Sequence, residues 1–214
     1  MIADLAFTLD EGETGALIGP SGCGKSTLMR ILAGLDRNFD GEVRLPANAR
    51  IGMAFQEPRL LPWRSLEDNV RLAAPEAGEA DIAALFAALG LSQHRAHYPS
   101  ELSLGLARRA ALARAFAVQP TLLLLDEPFA SLDTPLARQM QRDLARLVES
   151  RRTTTVLVTH DLEEAIRLAD RIFVLSARPA HVIGEVRVAH PRGAMSEEEE
   201  LAIAGRVEAL RENV

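Results

Sequence analysis

The chain of 214 residues has one cysteine, Cys23, so no disulfide can form within it, as fits a reducing compartment. Lysine and arginine number 24 against 30 aspartates and glutamates. The resulting net charge of -6 excludes a protein whose main work is gripping a nucleic-acid backbone, because that role needs a basic surface to displace counterions. Nowhere do about 18 apolar residues run together, so the sequence offers no helix that crosses a bilayer alone. Residues Met1 to Asp10 include Asp4 and lack a basic stretch followed by a long apolar one, so no secretory signal is read there. Internal repeats are absent too. Together these absences predict a cytosolic chain that reaches a membrane only through partners.

What is present is ordinary globular composition, 48% hydrophobic and 25% charged, in a length that suits one core with a small inserted subdomain. Short β-prone runs recur at Leu5 to Leu9, Gly15 to Ile18, Glu42 to Leu45, Ile51 to Phe55, Leu122 to Leu125, Thr154 to Val158, Arg171 to Leu175 and Val182 to Val188. Several are apolar throughout, the pattern of strands buried on both faces, and helical patterns lie between some of them, so the fold class is α/β. The stretch from Ser65 to Val118 differs: Ile82, Leu85, Phe86 and Leu89 fall at helical spacing, and Leu102 to Val118 is rich in Ala, Leu and Arg. A helical insert over about 65–118 is expected, dividing a core of about 1–64 and 119–190, with a tail over 191–214. Thr134 is suited to cap the next helix and Pro135 to its first position, with Leu136, Met140, Leu144 and Leu147 as one face. Ser196 with Glu199 predicts a capping box for a last helix reaching about Leu210.

The chemistry begins with Gly19-Pro20-Ser21-Gly22-Cys23-Gly24-Lys25-Ser26-Thr27, which fits the phosphate-loop pattern G-x-x-x-x-G-K-S/T between an apolar run and a helical segment. Glycines let main-chain N–H groups turn around a phosphate, and the helix start adds partial positive charge there. Lys25 is expected at the β- and γ-phosphates of a nucleotide and Ser26 on Mg²⁺. Cys23 reads as packing or a main-chain donor. A second signal is Thr121 to Leu125 followed by Asp126 and Glu127, a buried strand ending in two acids. Paired with the loop, Asp126 is expected to hold Mg²⁺ and Glu127 to polarise the attacking water.

Further motifs stand in a fixed order: Phe55-Gln56-Glu57-Pro58, Glu101-Leu102-Ser103-Leu104-Gly105-Leu106-Ala107-Arg108-Arg109, Pro128-Phe129-Ala130-Ser131-Leu132-Asp133 and Thr159-His160-Asp161. With the two phosphate-site motifs they resemble the Q-loop, signature, D-loop and switch histidine of ATP-binding-cassette (ABC) ATPases over nearly the whole chain. The resemblance implies a P-loop NTPase with a RecA-like parallel-sheet core and an inserted helical subdomain. Gln56 would bind Mg²⁺ or the attacking water and His160 would contact the γ-phosphate. Ser103 and Gly105 would face the ATP of a second copy in a head-to-tail dimer, and Asp133 would belong to the same nucleotide site. Residues 56–70 and 162–171, with Val174 to Pro179, are similar to importers of nitrate, aliphatic sulfonates and taurine. That likeness implies a membrane permease as partner, a solute-binding protein acting through it, and a place on the cytoplasmic face of the cell membrane. Leu60 to Trp63 would then lie near the permease; Trp63 and Tyr98 read as core or interface aromatics.

The sequence departs from the family in two places. Leu104 stands where the signature has its first glycine, and only a short stretch precedes the phosphate loop, where the family has a further strand with an adenine-stacking aromatic. Phe7 alternates with Leu5 and Leu9 and reads as core. Either translation starts upstream of Met1 or adenine is held less firmly. These departures keep open an alternative, a regulatory or hydrolysis-impaired ABC ATPase. A small-molecule P-loop kinase would leave the signature segment and His160 unused. His94, His97, His181 and His190 lack a ligand pattern and read as surface or packing residues.

Overall fold

The structure is a computed structural model describing residues 2–188 and 195–212. His190 lies outside the described residues. In chain order the elements are β1 (Thr14–Ile18), α1 (Lys25–Leu32), β2 (Ile51–Ala54), α2 (Leu66–Ala73), α3 (Glu79–Ala88), α4 (Leu104–Ala117), β3 (Leu122–Asp126), α5 (Thr134–Arg151), β4 (Thr154–Val158), α6 (Leu162–Leu168), β5 (Arg171–Leu175), β6 (Val182–Arg187) and α7 (Glu197–Glu212). Single 3₁₀ turns at Ser92–His94 and Pro99–Glu101 separate α3 from α4. No described helix is long and apolar enough to cross a membrane. The chain divides into two compact units, Met1–Leu45 with Thr154–Val214, and Pro46–Thr153.

The first unit is built on strands in the order β4-β1-β5-β6, with β1 parallel to β4 and β5, and β6 antiparallel to β5. β1 is buried along its whole length, which is why it carries no polar alternation. Helix α6 packs on β1, and α7 on α6 and β6. The capping box at the start of α7 forms as expected: Ser196 Oγ accepts from Glu199 N at 3.3 Å, and Ser196 N donates to Glu199 Oε2 at 2.9 Å. Leu210 then lies so close to β6 that a Cβ at Gly184 would be 2.5 Å from it.

Leu5 to Leu9 is extended but carries no strand ladder, contrary to expectation. Its odd residues are half-buried and its even ones exposed, so the alternation reports one side laid on the core. Phe7 meets Phe173 at 5.2 Å between ring centres, and Arg171 donates to Thr8 O at 2.6 Å while pairing with Glu13 and Glu185. Glu42 to Leu45 forms no strand either: these residues are exposed or half-exposed, and only Val43 and Leu45 are apolar, too little surface to hold a ladder.

In the second unit β2 and β3 pair in parallel, Gly52 opposite Leu123 and Ala54 opposite Leu125. Helix α4 packs on β2, α2 and α3, and a Cβ at Gly52 would stand 2.2 Å from the Ala115 carbonyl oxygen. Between 65 and 118 the regular elements are α2, α3, α4 and the two 3₁₀ turns, with no strand. Ser65 caps α2 and Ser103 caps α4, each with its hydroxyl accepting from the third residue on. Helix α5 is capped by Asp133, whose carboxylate accepts from Leu136 N at 3.3 Å; Thr134 is already its first residue, so the expected cap is one position late. Met140, Leu144 and Leu147 face the core as predicted.

Candidate nucleotide site

The predicted site residues divide between the two units. In the first, β1 runs into the loop Gly19 to Gly24, and α1 opens at Lys25 with no side-chain cap and no acid in its first turn. A helix start left uncapped in this way presents N–H groups and partial positive charge to an anion. Gly22 and Gly24 have φ of 75° and 125°, values that turn the loop's main chain in ways a side chain would resist. Lys25 is buried, and its ammonium donates to Gly19 O at 2.7 Å and Pro20 O at 2.9 Å, closing the loop. Ser21, Ser26 and Thr27 are exposed along the loop and helix start. Cys23 is buried, and its N–H donates to Pro20 O within the loop.

His160 belongs to the same unit. Leu17 is opposite Val158 in adjacent parallel strands, so Gly19 and His160, each two residues further on, leave the same carboxyl-terminal edge, where α/β sheets place their ligands. His160 is exposed, and the turn around it is fixed: Thr159 Oγ1 donates to Glu164 Oε2 and accepts from Asp161 N, both at 3.0 Å, while Asp161 caps α6. Arg178, whose sequence position gave no sign of a part in the loop, donates from Nε to Gly22 O.

In the second unit Gln56 and Glu127 follow paired strands in the same way, and Gln56 Nε2 donates to Glu127 Oε2 at 3.4 Å. Asp126 is buried at the end of β3, and Glu127 takes the left-handed φ of 46°. Ser103 is exposed at the head of α4, its Oγ accepting from Leu106 N at 3.3 Å, and Leu104 beside it is 46% exposed. Gly105 is buried, with a packing reason to be glycine: a Cβ there would lie 2.5 Å from Leu136 Cδ2. Asp133 is exposed and committed to its cap.

Buried Asn69 grips the loop ahead of α2, accepting from Leu61 N and donating to Leu61, Arg64 and Ser65 carbonyls. That loop carries Trp63, which at 70% exposed is a surface residue, as is Tyr98 at 46%. Of the two readings, core or interface, their exposure removes the core one. The histidines do read as expected: His94 and His97 meet edge-on at 5.0 Å, and His181 is bound to Ser176.

Among the described residues no cluster of three or more His, Cys, Asp or Glu could hold a metal by itself. In the first unit Ser26 offers one hydroxyl, and in the second Gln56 and Asp126 offer an amide and a carboxylate. Neither set makes a resident metal cage, and each is of the hard-oxygen kind that suits Mg²⁺ arriving on nucleotide phosphates.

The ABC transporter family profile matches residues 2–130. The chain is 46% identical over 202 residues to the aliphatic sulfonates import ATP-binding protein SsuB 2 of Burkholderia lata, covering 90% of this chain and 74% of that protein. It is 38% identical over 208 residues to the aliphatic sulfonates import ATP-binding protein SsuB of Bacillus cereus, covering 92% and 83%. Among solved structures it is similar to the dimeric post-hydrolysis state of the ATP-binding cassette MJ0796 bound to ADP and Pi, with a TM-score of 0.75, 29% identity, and 88% of this chain and 91% of that chain covered. A second dimeric MJ0796 structure gives a TM-score of 0.77 at 28% identity. On its phosphate loop, its acid-ended strand, its fold and these likenesses, the chain belongs to the ABC transporter family as an ATPase cassette.

Proposed function

We propose that the chain is the ATP-hydrolysing subunit of an importer for aliphatic sulfonates or a related small solute such as nitrate or taurine, working as a homodimer beneath a separate permease at the cytoplasmic membrane face. The observation that carries hydrolysis is the Gln56–Glu127 contact, which joins an amide and an acid at the carboxyl ends of adjacent strands. Lys25 and the amides of residues 22–27 would hold the β- and γ-phosphates, and Glu127 would take a proton from the water that attacks the γ-phosphorus. Gln56 would orient that water, and His160 the γ-phosphate. Ser26 and Asp126 would hold Mg²⁺, which would neutralise charge on the phosphate oxygens. Ser103, at an exposed helix start, would meet the ATP of the second copy.

The helical segment 65–118 and the loop ahead of it are the part we assign to the permease, with exposed Trp63 of the loop and Leu72 of α2 as apolar contacts. The sulfonate class is suggested by the relatives' names, and those names favour import over the regulatory alternative. The test is ATPase activity in proteoliposomes holding the chain, its co-encoded permease and its solute-binding protein. A sulfonate-loaded binding protein should stimulate turnover and drive uptake. Stimulation by none of sulfonate, taurine or nitrate would overturn the solute class, and hydrolysis indifferent to the permease would overturn the transport role.

A further inference from the structure

Helix α4 joins the signature residues to two loops of its own unit through arginine. Ser103 caps its start, Arg108 is one and a half turns on, and Arg114 lies further along. The two guanidinium groups take main-chain carbonyls. Arg108, only 7% exposed, donates from one nitrogen to Pro128 O at 3.0 Å and Glu127 O at 3.4 Å. Arg114 donates to Arg59 O at 2.7 Å and Pro58 O at 2.8 Å, just beyond Gln56.

The Arg108 contact falls on an unusual piece of main chain. Glu127 has φ of 46°, an uncommon conformation that costs energy for a residue with a Cβ and that surrounding contacts help to hold. Main-chain torsion at Glu127 sets the direction of its Cβ, and hence whether its carboxylate reaches Gln56. Successive carbonyls held by one buried cation are such contacts, and charge on the donor makes each bond stronger than a neutral one.

The geometry points to Arg108 as a positioning residue for Glu127: by fixing the carbonyls of Glu127 and Pro128 it holds the left-handed turn from which the carboxylate meets the Gln56 amide. The inference rests on the reading of Glu127 as the general base. It also gives the signature segment a short path to the same chain's acid, since Ser103 and Arg108 belong to one helix.

Steady-state ATP hydrolysis by the intact protein tests it with R108M, which keeps the stem and removes the donors, and with R108K and R108Q, which keep one. R108M should lower kcat about tenfold or more while the KM for ATP and nucleotide affinity change less than about threefold, with partial recovery in R108K and R108Q. In an E127Q background R108M should change the residual rate less than about twofold, because it acts through the missing carboxylate. Parental kcat in a folded R108M protein would overturn the assignment, as would a loss confined to KM or one that adds fully to that of E127Q. If R108M does not fold, R108K and R108Q decide by the same split. Parental turnover in E127Q alone would instead sink the general-base reading, a result separable from the Arg108 series.

Discussion

The phosphate loop and the acid-and-amide pair solve one problem, holding polar groups ready for a triphosphate, by opposite means. The loop is contiguous and made largely of main chain: glycine torsions, an uncapped helix start and one ammonium bound to its own loop carbonyls. The pair is made of side chains 71 residues apart, and its geometry rests on parallel strand register and, on the inference above, on Arg108 of α4. A main-chain site survives most changes around it but fails when its one cation is removed. A side-chain site inherits the faults of everything that supports it.

Lys25→Ala should show the first half of that contrast most strongly. Loss of the ammonium should weaken ATP binding by about 10²-fold or more, as charge-assisted phosphate contacts imply, and unchanged affinity in a nucleotide titration would refute the site. Glu127→Gln should leave binding intact and reduce turnover roughly 10²- to 10⁴-fold, the range general-base catalysis supplies. It should also trap the ATP-bound dimer, visible as a larger species on size exclusion. Hydrolysis at the parental rate would remove Glu127 from the mechanism.

Gly52→Ala tests support at a distance. The new methyl would meet the Ala115 carbonyl at 2.2 Å, and because that atom is helix main chain it cannot swing aside. Displacing α4 from β2 should cost about 3 kcal/mol of stability, in the range of overpacked cores. A thermal melt within a degree of the parent would mean that α4 moves freely, and the idea of α4 as a rigid support would fail with it.

The same contrast explains what could be read from sequence. Gly19 to Thr27 announces itself because its nine residues are adjacent and each has a local reason. Asp126 and Glu127 are legible once the loop is known, as is the last helix from Ser196 with Glu199, whereas the Ser65 cap of α2 was not read from the sequence. Leu5 to Leu9 and Glu42 to Leu45 misled because strand-like alternation says which side of a segment is covered, not whether another strand pairs with it. Arg108, Arg114 and Arg178 were invisible as supports, since a carbonyl partner leaves no mark in the sequence. Nor could Gly105 be given its packing reason before Leu136 was known to lie against it.

A smaller effect should come from the ion network of the helical segment. Glu67 is bound by Arg95 and Arg71, and hydrogen bonding from Arg95 above all holds its carboxyl down to about 2. A depressed folded-state value stabilises above the ordinary carboxylate range and loses that contribution as pH falls from about 4.5 toward 2. Allowing for solvent screening of a partly exposed cluster, about 1 kcal/mol is expected. Glu67→Gln should flatten that part of the stability–pH curve, and parallel curves for the two proteins would show that the network is decorative.

The smallest and most informative change is Leu104→Gly. Leu104 is the first residue of α4 and 46% exposed, so its side chain is not absorbed into its own helical segment. In a closed dimer a branched apolar group at this position would lie beside the partner's dianionic γ-phosphate, where it blocks close main-chain approach and displaces water without supplying a donor. The neighbouring parts are intact: Ser103 still caps the helix, Gly105 still fits against Leu136, and the helix start still offers its N–H groups. Hydrolysis should therefore be reduced and not abolished in the natural chain. Glycine should raise permease-coupled turnover by about two- to fivefold, at a helix-propensity cost of under about 1 kcal/mol. The gain should appear in kcat and in ATP-driven dimerisation, and ATP affinity of the monomer should not move, because Lys25 and its loop are untouched. Unchanged turnover and dimerisation would make Leu104 a tolerated surface variant, and the signature would then join the phosphate loop as a site carried by main chain and indifferent to the side chain beside it.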